Sequence, residues 1–108
     1  MLYELRTYLI PAGRMPDILA RFATVTLSLF ARHGMELVGF WTEVGPQAEN
    51  ALVYLLRFAD EAAQERAWRA FRADPEWVAA RARTEAAGPI VARVISKNLA
   101  PTPFSPLQ

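Results

Sequence analysis

Glu4, Arg6 and Tyr8 alternate near the start of the chain. In an extended strand, side chains two residues apart share a face, so a carboxylate, a guanidinium and a phenol stand in one row. Such a row can hold an anionic or carbonyl-bearing small molecule by charge-assisted hydrogen bonds. Equally, Glu4 and Arg6 can pair with each other, or across an interface, and simply satisfy buried charge. Trp41 and Tyr54, on later apolar segments, either add an aromatic wall for a planar ligand or pack in the core. His33 is the one side chain with an ordinary pKa near neutrality, which makes it the candidate acid or base. Its place just before Gly34 also fits a solvated residue facing the negative end of a helix dipole.

Composition narrows the chemistry. The 108 residues include 12 Lys plus Arg, 11 Asp plus Glu, one His and no Cys. Without cysteine there is no disulfide framework, thiolate nucleophile or Cys-ligated zinc, and a lone His without an Asp-rich loop gives no expected metal site. Lys97 is the only lysine, so Schiff-base chemistry would rest on it alone. No glycine-rich phosphate loop, dinucleotide fingerprint or nucleophile elbow is present, and no cofactor is expected. A net charge of +1 lacks the basic footprint of a nucleic-acid binder or polybasic membrane anchor. There is no apolar run long enough to span a bilayer, and the opening residues do not read as a signal peptide. The expected location is the cytoplasm.

The elements that must position these residues follow from periodicity. Residues 2 to 10 read as a strand ending at Pro11-Ala12-Gly13, with Tyr3, Leu5, Thr7 and Leu9 on one face and Leu2, Glu4, Arg6 and Tyr8 on the other. From Arg14 to His33 the period becomes helical, with Met15, Ile18, Phe22, Val25 and Leu29 in one stripe and Gly34 as a left-handed stop. Residues 35 to 44 and 51 to 59 predict two strands in an antiparallel hairpin around Gly45-Pro46. The second is almost continuously apolar, which predicts burial on both faces. Asp60 caps a helix carrying Trp68 and Phe71. Asp74-Pro75 starts another that runs to about Ala87, and residues 90 to 99 give the last strand. The arginines 66, 69, 72, 81 and 83, interleaved with glutamates 61, 65, 76 and 85, predict a solvated mixed-charge surface.

The order βαββαβ is the ferredoxin-like arrangement, an α+β fold with a four-stranded antiparallel sheet and helices on one face. One domain over residues 1–100 and a proline-rich tail over 101–108 are expected. The tail is expected to pack loosely or to reach a partner chain. The uncovered sheet face, to which Glu4, Arg6 and Tyr8 are assigned, would expose more apolar area than monomers usually do, so a homodimer packed sheet to sheet is expected.

Four separated segments, Tyr3-Glu4-Leu5-Arg6-Thr7-Tyr8, His33-Gly34 to Gly39-Phe40-Trp41, Gly45-Pro46 and Asp74-Pro75-Glu76-Trp77, resemble the NIPSNAP family in order and spacing over residues 2 to 99. Where many members carry aromatic residues late in the third strand, this chain has Leu56 and Phe58. The resemblance implies a dimeric α/β barrel with a central cavity, in a superfamily that also holds small monooxygenases, haem-degrading enzymes and an isomerase. It implies no settled activity. Three functions follow as alternatives: a small-molecule-binding protein, a cofactor-independent monooxygenase or isomerase, or a structural module with a filled interior.

Overall fold

A computed structural model describes residues 1–108. Four strands, β1 (Leu2–Leu9), β2 (Glu36–Thr42), β3 (Ala51–Phe58) and β4 (Arg93–Leu99), form one antiparallel sheet in the order β2-β3-β1-β4. Between β1 and β2 lie α1 (Met15–Arg21), a π-helical segment (Phe22–Thr26) and α2 (Leu27–Arg32). Between β3 and β4 lie α3 (Glu61–Ala73) and α4 (Pro75–Thr84). This is the expected ferredoxin-like α+β fold.

The caps are those the residues predict. The Asp60 side chain accepts from the Ala63 N–H, and that of Asp74 from Glu76 N–H with Pro75 at the first helical position. Gly34, at φ +70°, ends α2 in a Schellman turn: Gly34 N–H bonds the Ala31 carbonyl and Met35 N–H the Phe30 carbonyl.

Registers assign the faces. In β3, Leu52, Tyr54, Leu56 and Phe58 are buried against the helices, while Val53, Leu55 and Arg57 on the other face are half-buried. The nearly continuous apolar run thus buries one face fully, not both, within this chain. Leu56 pairs with Glu4, Tyr54 with Arg6 and Leu52 with Tyr8, so Glu4, Arg6 and Tyr8 face the helices. This corrects the assignment of that row to the uncovered face. Alternation says which residues share a face but not which side a helix covers, and both faces of β1 carry apolar residues.

The long helix also departs from expectation. The stripe shifts phase through the π segment, where Leu27 N–H reaches back to the Phe22 carbonyl and the Thr26 hydroxyl donates to the Arg21 carbonyl at 3.3 Å. Arg21 and Phe22 are buried ahead of the shift, and Thr26, Leu29 and Phe30 through and beyond it, while Val25 is only partly buried. The helix after Pro75 stops at Thr84 and β4 begins at Arg93, leaving Ile90 as a fully buried plug before the strand. Residues of the tail fold back on the uncovered sheet face, where the Tyr3 hydroxyl donates to the Gln108 carbonyl at 3.3 Å. No helix is long and apolar enough to cross a membrane.

Candidate functional site

Glu4 is 3 % exposed, and its two oxygens receive four donors. Oε1 accepts from Trp68 Nε1 at 2.7 Å and Gln64 Nε2 at 2.8 Å. Oε2 accepts from Ser96 Oγ at 2.7 Å and Arg6 Nη1 at 2.8 Å. Burial alone would push the Glu4 carboxyl up, but the bonds from Ser96, Arg6, Trp68 and Gln64 outweigh it and hold it below the ordinary carboxylate value. A charged Glu4 therefore anchors the row. It fixes the Arg6 guanidinium over the Trp68 ring, 4.3 Å from its centroid. Burial disfavours the Arg6 charge, but the phenol oxygens of Tyr54 and Tyr8 and the bond to Glu4 more than restore it.

From Arg6 a directional chain runs to Tyr8. Arg6 Nε donates to the Tyr54 oxygen at 2.7 Å, and the Tyr54 and Tyr8 oxygens are 2.8 Å apart. Guanidinium has no acceptor, so Tyr54 accepts from it and must place its own proton elsewhere. Tyr54 is fully buried and has no other acceptor, so its proton goes to Tyr8. Burial, and then Tyr8 itself, push the Tyr54 hydroxyl well above the ordinary phenol value despite Arg6, which keeps that proton in place. Tyr8 also accepts from Arg6 Nη2 at 3.4 Å. Its own proton has no partner in the protein, and polarisation along the chain makes it a strong donor.

Tyr8 opens onto a cavity of about 280 Å³ between the sheet and the helices. The walls are aromatic, with Phe22, Phe30, Trp68, Phe71 and Trp77 in successive ring contacts, among them Phe30–Phe71 at 5.4 Å and Phe71–Trp77 at 4.7 Å. Five arginines, 6, 21, 72, 81 and 93, line it with one glutamate, Glu85. A chain of net charge +1 has thus concentrated positive charge in one place.

Of the candidates in the sequence, Glu4, Arg6, Tyr8 and Tyr54 come together. Trp41 does not. It pairs with Val53 on the opposite face, is 53 % exposed, and lies across Gly39, whose missing side chain leaves room for the indole. His33 is also elsewhere, but not solvated as expected: Nε2 bonds Asp74 Oδ2 at 2.8 Å, and Arg32 Nη1 reaches the same oxygen at 3.0 Å. The bonds from His33, the Glu76 N–H and Arg32 hold the Asp74 carboxyl below its ordinary value. His33 thereby ties the end of α2 to the start of α4. Lys97 pairs with Leu5 on the uncovered face, away from the cavity.

The arginine and glutamate run divides. Arg69 and Glu65 form a surface pair, as expected, but Arg72 and Arg81 edge the cavity. Sequence reasoning missed Arg21, Gln64 and Ser96. The signal for Arg21 was its place three residues after Ile18, on the flank of the buried stripe; Ser96 stands opposite Arg6 only through strand pairing. No cluster of His, Cys, Asp or Glu suited to a metal is present.

Comparison with known proteins agrees with the fold. An uncharacterized NIPSNAP domain protein from Burkholderia xenovorans is 29% identical over 98% of this chain and 99% of its own, with a TM-score of 0.84. A NIPSNAP family protein with unknown function from Agrobacterium tumefaciens is 28% identical over 100% of this chain and 94% of its own, TM-score 0.85. An antibiotic biosynthesis monooxygenase, 12% identical over 95% of this chain and 100% of its own, shares the fold at a TM-score of 0.62. No curated protein matches the sequence. A NIPSNAP family model matches residues 3–106, including all four residues of the Glu4-to-Tyr8 network, and the chain belongs to the NIPSNAP family.

Proposed function

We propose that this NIPSNAP protein binds a small aromatic ligand carrying an oxygen acceptor in the cavity between sheet and helices, and does so as a homodimer. One observation carries the reading: a buried network in which Glu4, Arg6 and Tyr54 answer one another leaves the polarised Tyr8 hydroxyl without an acceptor at an aromatic wall. Glu4, Arg6 and Tyr54 orient that donor, and the ligand's carbonyl, carboxylate or phenolate oxygen receives it. A module with a filled interior fits this cavity poorly.

The test is Tyr8→Phe, which removes the donor and keeps the ring. Thermal-shift and calorimetric screening of a panel of aromatic ketones, phenols and acids should yield ligands whose affinity falls about tenfold in the variant. Equal affinity for every ligand would reject the assignment.

Oxygenase or isomerase chemistry on the same ligand is the second reading, favoured by the aligned Tyr54-to-Tyr8 donors. Such a chain stabilises negative charge developing on an enolate or phenolate oxygen. Oxygen consumption, or product isomer analysis, with each ligand found would test it. The dimer rests on the uncovered sheet face, where Leu5, Leu9, Val53, Leu55 and Ile95 are half-buried and Trp41 is exposed. Light scattering at micromolar concentration should give twice the chain mass; a monomer there rules it out.

A further inference from the structure

Arg21 is 5 % exposed, yet its charge is incompletely answered. Its hydrogen bonds run through Nη1 alone, to Glu85 Oε2 at 3.1 Å and Thr84 Oγ1 at 3.2 Å, and its buried Nε has no partner. That Glu85 oxygen is shared, because Arg81 Nε also donates to it at 3.2 Å. One carboxylate thus stands between two guanidiniums. The Arg21 guanidinium lies over the Trp77 ring, 4.9 Å from its centroid, at the end of the aromatic wall that starts beside Tyr8. Arg72 and Arg93, on the same cavity, have no carboxylate partner. A buried arginine short of acceptors is costly unless something completes it.

We infer that Arg21, with Arg81, forms a second, anion-binding pole of the cavity, and that the ligand is an aromatic carboxylate. This rests on the cavity reading above and deepens it. The carboxylate meets the underused guanidinium, the ring lies along Phe71 and Trp77, and a carbonyl or hydroxyl oxygen at the far end takes the Tyr8 proton. Glu85 competes with the ligand for Arg21, so it sets affinity as well as holding the arginine in place.

The experiment is titration calorimetry of the full chain with benzoate, 4-hydroxybenzoate, benzamide and inorganic phosphate, at fixed ionic strength. Benzoate should bind about tenfold more tightly than benzamide, as expected for a charge-assisted bond in a buried site. Arg21→Gln should abolish that preference, with a melting curve confirming the fold. Glu85→Gln, which keeps shape and frees both guanidiniums, should tighten benzoate severalfold, an effect no purely structural role of Glu85 produces. Equal binding of benzoate and benzamide, or benzoate affinity unchanged in Glu85→Gln, overturns the anion pole. If benzamide then still weakens in Tyr8→Phe, the cavity reading survives alone. No binding of any aromatic probe overturns both. Phosphate binding as tightly as benzoate overturns the carboxylate assignment.

Discussion

Each face of the sheet carries one glutamate–arginine pair, and the two pairs live in different solvents. On the helix side Glu4 and Arg6 meet at 2.8 Å with side chains 3 % and 12 % exposed; on the other side Glu36 and Arg57 meet at 3.5 Å, 57 % and 33 % exposed. The exposed pair is screened by water and gains little. Desolvation makes the buried pair expensive, and it is tolerable only because Trp68, Gln64 and Ser96 complete the carboxylate while Tyr54 and Tyr8 complete the guanidinium. Completeness has a geometric consequence. With Glu4, Arg6 and Tyr54 held, the Tyr8 hydroxyl is directed, whereas the Glu36 carboxylate on the open face stands largely in solvent.

Glu4→Ala should break this contrast most severely. It strands a buried guanidinium and three further donors, and the loss should be about 3–5 kcal/mol by urea unfolding. A smaller effect is expected from Tyr54→Phe, about 1–3 kcal/mol, because Arg6 Nε loses its acceptor and Tyr8 its donor. The same variant should weaken ligands that depend on the Tyr8 proton.

Acid should probe the buried pair as well. The folded Glu4 carboxyl titrates below its unfolded value, so its contribution is present above the unfolded value and is lost as pH falls through the folded one. Glu4→Gln should flatten that part of the acid limb of a stability–pH curve. The mildest change, Glu36→Ala, should cost no more than about 1 kcal/mol in the same urea experiment. A loss as large as that of Glu4→Ala would mean that the two faces do not differ as described.

Much of this was legible in the residues themselves. Asp60, Asp74-Pro75 and Gly34 act within one turn of their own positions, so caps and element order follow from local chemistry. Even the row of Glu4, Arg6 and Tyr8 is local, because a strand has period two whatever surrounds it. The side of the sheet they occupy is not local. It is decided when Trp68 and Gln64, sixty residues on, dock above Glu4, and alternation in β1 is blind to that event. Tyr54 and Trp41 show the same limit: both are aromatic strand residues, but β3 register puts one beside Arg6 and the other on the opposite face.

The sequence by itself determined the βαββαβ order, the family and the grouping of a carboxylate, a guanidinium and a phenol on one strand face, because these depend on short-range geometry and side-chain type. Tertiary structure alone decided that this face lies under the helices, that Arg21 at the end of α1 lies in the interior, and that arginines from α1, α3, α4 and β4 converge on one cavity. Helix-on-sheet packing joins residues far apart in the chain, and burial then sets how strongly each charge there is felt.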